Sequence, residues 1–522
     1  MERTRRVGGS VATLVALAGV VVASTGVAAA HDLGGTRFDA PIPLPALFVG
    51  AGATVALTAA WLGRGGELAP TGTRTVGRLP AGTVRWLRAA GRVGFAALVA
   101  FAVVRGLAGR QVAAENAATV FVWPLWLKGV GLVAMLVGSP WRALSPWRGV
   151  HALLEALEGD RVRLVEYPAA WGVWPAVVGY VAVAGVVENL TVIPRSPRLT
   201  AGLVALYAVA MVLGGVAFGR AWFRRADAFE VLYRQFGRVA PVRVRAREDG
   251  YAVEARYPWE GCASSTAEPG LLAFVVAMVY TVSFDGFTAT PEYQRLLFAA
   301  RDALGAGAAT GVVLYVAGFV VFLLGLVGAA AAVERIGSTP TPGGPDATDG
   351  RGGPGETAGR TDGAGPADAA GAGAAADTDG AAADANRGAA VPDRDGATRP
   401  SAVATARAFA PTVVPIAVAY ELAHNFPYVV RNLARAVELG LRAVGSDATV
   451  DLLGWLSVSA FWGSQVLLVV VGHVVAVIAA HRVAVGRYGT PARARRAHLP
   501  LVAVMVGYTV LSLWIISRPV VA

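Results

Sequence analysis

Ten stretches of this chain are apolar over a length close to the roughly 20 residues that an α-helix needs to cross a membrane. Lipid offers the backbone no hydrogen-bond partner, so each stretch is expected to be helical. The predicted spans are 46–63, 93–109, 118–138, 168–187, 199–219, 270–284, 308–333, 408–422, 453–480 and 499–516. The pattern therefore predicts an all-α integral membrane protein with about ten transmembrane helices.

The connections between spans contain a few folding signals of their own. Residues 227–236 have the spacing of a short amphipathic helix, and 242–247 and 251–257 alternate around a turn, which predicts a small β-hairpin. Ser139-Pro-Trp-Arg142 is repeated as Ser145-Pro-Trp-Arg148. We interpret the repeat as the entry to an interfacial helix, with Trp and Arg at the depth of the lipid headgroups.

The two segments outside this pattern are the N-terminus and a long polar stretch. A basic start, an apolar run over 11–22 and three alanines at 28–30 predict a signal peptide over 1–30, whose cleavage would leave His31 first. Residues 336–402 consist largely of Gly, Ala, Asp, Thr and Pro and are predicted to be a disordered cytoplasmic linker. The linker would separate a bundle of about seven helices (31–335) from one of about three (403–522).

Composition supports the membrane class. Of the 522 residues, 55% are hydrophobic and 16% are charged, with a mean hydropathy of +0.53, whereas soluble proteins have about 25% charged residues. The net charge of +11 does not indicate nucleic-acid binding, because the basic residues lie in short loops between apolar runs. A single cysteine, Cys262, excludes an internal disulfide.

The arginines predict the orientation in the cell membrane. Four arginine-dense connections, 64–92, 142–163, 220–256 and 482–496, fall on one side of the predicted topology. By the positive-inside rule that side is the cytoplasm, which places the mature N-terminus outside the cell.

Ionisable residues in or beside the spans are the strongest functional signal, because charge within lipid is costly. Glu188, Asp285, Glu421 and His424 all fall at span ends on the predicted outer side, where His31 also begins. Glu421 and His424 are three residues apart, so they share a helix face at about 5 Å, as in metal-binding bundles. With the amine and imidazole of His31, this set suits copper or zinc. A structural ion pair is the alternative.

Three further residues within the spans carry separate predictions. Lys128 lies near the centre of the third span, so its charge requires a partner or an aqueous path. On the ninth span, His473 is expected to bond a neighbouring helix, and His481 to be an interfacial cation beside Arg482.

Several motifs together resemble a family of polytopic prokaryotic membrane proteins described as fenitrothion hydrolase-like. They are Pro41-Ile-Pro-Leu44, Ser139-Pro-Trp-Arg142, Arg195-Ser-Pro-Arg198, Phe218-Gly-Arg-Ala-Trp222, Phe229-Glu-Val-Leu-Tyr233, Ser283-Phe-Asp-Gly-Phe287 and the segment 420–424. The resemblance covers most of the membrane region and implies hydrolysis of an organophosphate ester.

Three functional hypotheses follow from the sequence. The first is a protein that binds a transition metal or small solute at its outer face through His31, Glu188, Asp285, Glu421 and His424. The second is a membrane-embedded hydrolase that activates water on a metal held by the same groups. The third is a permease without metal whose path is lined by Lys128 and the acids at the span ends.

Overall fold

The computed structural model describes residues 43–64, 70–264, 268, 270–338 and 401–518. The predicted signal peptide, His31 and residues 339–400 of the predicted linker lie outside the described residues.

Helices dominate the described part of the chain. Nine of its helices are long and apolar enough to cross a membrane, and a shorter apolar helix, Trp174–Leu190, makes a tenth. These ten are α1 Leu44–Arg64, α2 Ala81–Ala108, α3 Ala117–Val137, α6 Trp174–Leu190, α7 Pro197–Phe218, α10 Leu271–Thr288, α12 Thr310–Gly337, α13 Ala402–Ala443, α14 Val458–Tyr488 and α15 Pro491–Ile516. The other helices are α4 Trp141–Leu144, α5 Pro146–Glu158, α8 Arg220–Arg225, α9 Ala228–Phe236 and α11 Pro291–Leu304. Each predicted span overlaps one of the ten, so the predicted fold class is confirmed.

A small three-stranded antiparallel sheet lies beside the bundle. Its strands are β1 Arg74–Leu79, β2 Val242–Arg247 and β3 Gly250–Ala255, in the order β1-β3-β2. The hairpin β2–β3 is the predicted one. Strand β1 comes from a distant loop and was not predicted, because a short segment with a central glycine has no strand signature of its own.

The ends of the helices define two sides of the bundle. Arg88 Nη1 on α2 donates to the hydroxyl of Tyr251 on β3, at 3.0 Å. Arg495, near the start of α15, donates to the carbonyl of Gly63 at the end of α1. Successive spans run in opposite directions, so every second connection lies on the same side of the bundle. The four arginine-dense connections therefore all lie on the side that carries the sheet. We call this the sheet side and the other the opposite side.

The helices before and after residues 339–400 pack into one compact unit. Helix α15 packs against α1 and α12, and α14 also contacts α1. Where the chain leaves and re-enters this unit, the buried Glu334 carboxylate of α12 accepts hydrogen bonds from Thr405 Oγ1 (2.7 Å), Tyr488 OH (3.1 Å) and Arg487 Nη2 (3.2 Å). We call these four residues the Glu334 clasp.

The two tryptophans of the doubled Ser-Pro-Trp-Arg motif are buried. Trp141 and Trp147 are 0% and 1% exposed, and their indole nitrogens donate to Asp227 Oδ2 at 2.9 and 2.7 Å. Asp227 Oδ1 accepts from the hydroxyl of Tyr207 and from the backbone amides of Phe229 and Glu230, which caps α9. Both tryptophans therefore pack inside the protein, where a buried carboxylate satisfies their N–H groups. Their position at the depth of the lipid headgroups stays a prediction.

Candidate functional site

The only lysine of the chain lies inside the bundle. Lys128 is on α3, in a stretch, Phe121–Gly129, that is wound as a π-helix and includes Pro124. Proline lacks the N–H that an α-helix needs and clashes with the preceding turn, which favours such a widened winding. π-Helical turns are rare and occur frequently at functional sites.

Three carboxylates from three other helices converge on this lysine. Lys128 Nζ lies 3.2 Å from Glu188 Oε1 on α6, 3.5 Å from Glu421 Oε1 on α13, and 4.0 Å from Asp285 Oδ2 on α10. Glu188 directly follows a second π-helical stretch, Val181–Val187. We call Lys128, Glu188, Asp285, Glu421 and His424 the Lys128 cluster.

Exposure within the cluster increases in one direction. The side chains of Glu421 and Lys128 are 5% and 8% exposed, and that of Glu188 is 12% exposed. Those of Asp285 and His424 are 26% and 34% exposed, and His424 Nε2 lies 3.7 Å from Asp285 Oδ2. Asp285 and Glu188 lie near those ends of their helices that face the opposite side. The cluster thus has a buried floor and a mouth that opens away from the sheet.

The charges of the cluster do not balance. Among the described residues, the three carboxylates form ion pairs only with Lys128 and, in the case of Asp285, with His424. One ammonium cannot neutralise three carboxylates, and Glu188 Oε2 is buried without a hydrogen-bond donor from any described residue. Buried charge that is left unpaired is costly. The arrangement therefore favours the uptake of a proton or another cation.

Four of the five predicted site residues come together in this cluster, and the fifth, His31, lies outside the described residues. Lys128 was not among the five predicted site residues. Its charge within an apolar span had nevertheless indicated that it needs a partner of opposite charge or an aqueous path. Within the described ranges, no group of three or more His, Cys, Asp or Glu side chains is placed to hold a metal ion. The copper or zinc site stays a prediction.

The other histidines differ from their predicted settings. His473 bonds the carbonyl of Val469 on its own helix rather than a neighbouring helix. His481 is 2% exposed and packs against His498, so it is not an interfacial cation. Neighbours on α15, which the sequence pattern of α14 does not reveal, contact both rings.

In comparisons with known proteins, no family model, curated protein or solved structure matches this chain. The resemblance to fenitrothion hydrolase-like proteins stays a prediction.

Proposed function

We propose that this protein is a membrane carrier that binds a small cation from the side opposite the sheet, at the Lys128 cluster. The observation that carries the proposal is the excess of carboxylates around one buried ammonium. In this view Lys128 is a tethered cation that occupies the site until the solute replaces it.

Burial argues for a binding role over a purely structural one. A buried ion pair is weak evidence of stability, because apolar residues of similar volume often serve a bundle equally well or better. Ionisable groups inside a membrane bundle more often mark ion and substrate pathways. The two adjacent π-helical stretches support the same conclusion, since they place Lys128 and Glu188 where regular α-helices would not.

The mouth of the cluster indicates the class of solute. Asp285 and His424 offer a carboxylate and an imidazole at the entrance, and Glu421 and Glu188 offer carboxylates below them. Such a site favours a compact cation over an anion or an apolar molecule. A divalent metal ion and a small organic amine share this chemistry.

Binding measurements on the protein in lipid nanodiscs test the proposal, with zinc, copper(II) and methylammonium as probes in isothermal titration calorimetry. We expect Lys128→Met to bind one of these probes about tenfold more tightly than the wild type, which corresponds to ~1.4 kcal/mol, because the competing ammonium is gone. We expect Glu421→Gln to lose binding, because the floor then lacks a carboxylate.

A matched control is available on the same side of the bundle. Arg110 and Glu115 form an exposed ion pair at 2.8 Å, and Arg110→Met should leave probe affinity unchanged. The proposal fails if none of the three probes binds to the wild type or to Lys128→Met. If a probe binds but proteoliposomes do not take it up, the protein is a cation-binding protein and not a carrier.

The same series separates the alternatives from the sequence. Metal that co-purifies with the wild type and is lost in both Glu421→Ala and His424→Ala would support the predicted metal site. Ester turnover that survives the loss of both His424 and Asp285 would rule out these residues as the centre of a hydrolase.

A further inference from the structure

Helices α14 and α15 carry three histidines that lie apart from the Lys128 cluster. His473, His481 and His498 are 1%, 2% and 0% exposed. Each has a buried ring nitrogen for which no described residue supplies a hydrogen-bond partner: Nε2 of His473, Nδ1 of His481 and Nε2 of His498. Buried polar atoms are normally paired with protein or ordered water, so three such atoms on two adjacent helices call for an explanation.

The hydrogen bonds that are present define the tautomers of two of these rings. His473 Nδ1 lies 2.8 Å from the carbonyl of Val469, and His498 Nδ1 lies 2.6 Å from the carbonyl of Ala494. A carbonyl only accepts, so in the neutral ring Nδ1 carries the hydrogen. The Nε2 atoms of His473 and His498 are therefore bare acceptors.

The three rings lie at two depths along the interface between α14 and α15. Near the sheet side, the rings of His498 and His481 lie 5.1 Å apart, with Arg482 as the nearby charge. His473 lies eight residues before His481 on α14, which places it about 12 Å further from the sheet side. Its ring lies 5.8 Å from that of Tyr508. The hydroxyl of Tyr508 contacts that of Ser283. Ser283 precedes Asp285 of the Lys128 cluster by two residues on α10, so the two side chains lie at similar depth on different faces of that helix.

We propose that the interface between α14 and α15 is a hydrated proton path from the sheet side to the Lys128 cluster. A hydronium ion transfers its proton to Nε2 of His473, which gives an imidazolium and a neutral water molecule. The same nitrogen then gives the proton to the next water molecule of the path, while Nδ1–H stays on the carbonyl of Val469. The path would supply the carrier with its coupling ion and so rests on the proposed function. Its hydration, however, is measurable whether or not a solute binds.

Hydrogen–deuterium exchange at the imidazole C2 position, followed by mass spectrometry in nanodiscs, tests this path. His424, whose side chain is 34% exposed, is the reference for a histidine in contact with water. His151 is the reference for a buried histidine without water, because it is 2% exposed and its ring nitrogens contact the Val162 carbonyl and Glu155. We expect His473, His481 and His498 to exchange within about tenfold of His424, and His151 to be slower. Exchange of His473 as slow as that of His151 would overturn the proposal.

A substitution tests the direction of access. Ala480 is fully buried and lies seven residues from His473, on the same face of α14 and toward the sheet side. Ala480→Leu should slow exchange at His473 at least tenfold and leave His424 unchanged. Unchanged exchange at His473 in a folded variant would mean that water arrives from the opposite side. If exchange at His473 is fast and is slowed by Ala480→Leu, but no probe binds the Lys128 cluster, the results support the path and contradict the carrier proposal.

Discussion

Single residues in this protein owe their chemistry to what surrounds them. Cys262 is the one cysteine of the chain and is fully buried. Burial raises the pKa of its thiol to about 12, and Arg238 and Arg256 offset only part of that effect. A thiol reacts as the thiolate, so folding suppresses the reactivity of this group at neutral pH.

The first residue-scale prediction concerns that thiol. In the folded protein at pH 8, maleimide should label Cys262 at least tenfold more slowly than in protein unfolded with detergent, because a raised pKa leaves little thiolate and burial blocks access. Mass spectrometry of the labelled protein measures both rates. Equal rates in the two states would show that the thiol is accessible.

The sequence predicted the acids and the imidazole of the Lys128 cluster, and it required a partner for Lys128. It could not show that these acids are the partners of Lys128, because the four helices that carry the cluster are distant in sequence. The rotation of each helix about its axis depends on packing. His473 and His481 show the same limit: their position along the ninth span follows from the sequence, and their burial follows from neighbours on other helices.

Among the secondary-structure elements, the short helices on the sheet side depend on one carboxylate. Asp227 caps α9 and also accepts hydrogen bonds from α4, α5 and α7 through Trp141, Trp147 and Tyr207. Burial raises the pKa of Asp227, while the hydrogen bonds of the two indoles act against the rise. Four elements therefore meet at one side chain.

We predict that Asp227→Ala lowers the free energy of unfolding by about 3 kcal/mol or more, since it removes a helix cap and leaves two buried indole N–H groups and the part-buried Tyr207 hydroxyl without their acceptor. Thermal unfolding in detergent, followed by tryptophan fluorescence, measures the loss of stability. Asp249→Ala is the matched control, because that aspartate is 74% exposed at its side chain and its ion pair with Arg78 is long, at 3.7 Å. Similar unfolding temperatures for both variants would contradict the role of Asp227.

The order and number of the apolar helices were the most predictable part of the fold. Apolar length alone located the nine long apolar helices and the shorter α6, and the alternation of apolar and basic residues located the hairpin β2–β3. Several helix ends were not predicted: α2 begins at residue 81 where the predicted span begins at 93, and α13 ends at residue 443 where the predicted span ends at 422. The π-helical stretches could not be located in this way, because their winding depends on Pro124 and on packing between helices. Strand β1 was missed because its pairing is with a strand more than 160 residues away.

For the whole molecule, the decisive feature is that helices from both ends of the chain share one unit. The Glu334 clasp joins α12, α13 and α14 at the point where residues 339–400 leave and return. These contacts link the helices on the two sides of residues 339–400 without the covalent connection.

We predict that residues 1–370 and 371–522, expressed together as separate chains, assemble into a complex that purifies as one species. Size-exclusion chromatography in detergent, with a tag on one fragment only, measures the association. Glu334→Ala in the split protein should weaken it, because Thr405, Arg487 and Tyr488 lose their shared acceptor. Fragments that elute separately without that substitution would show that the connection itself holds the bundle together.

The widened turns in α3 and α6 have a mechanical consequence. A π-helical turn holds more residues than an α-helical one, so its excess can tighten at one place and reopen at another without breaking the helix. Such a shift would turn Lys128 or Glu188 about the helix axis and carry its charge from one neighbour to the next. With one such turn in α3 and one in α6, a shift of this kind would redirect charge inside the bundle without breaking either helix.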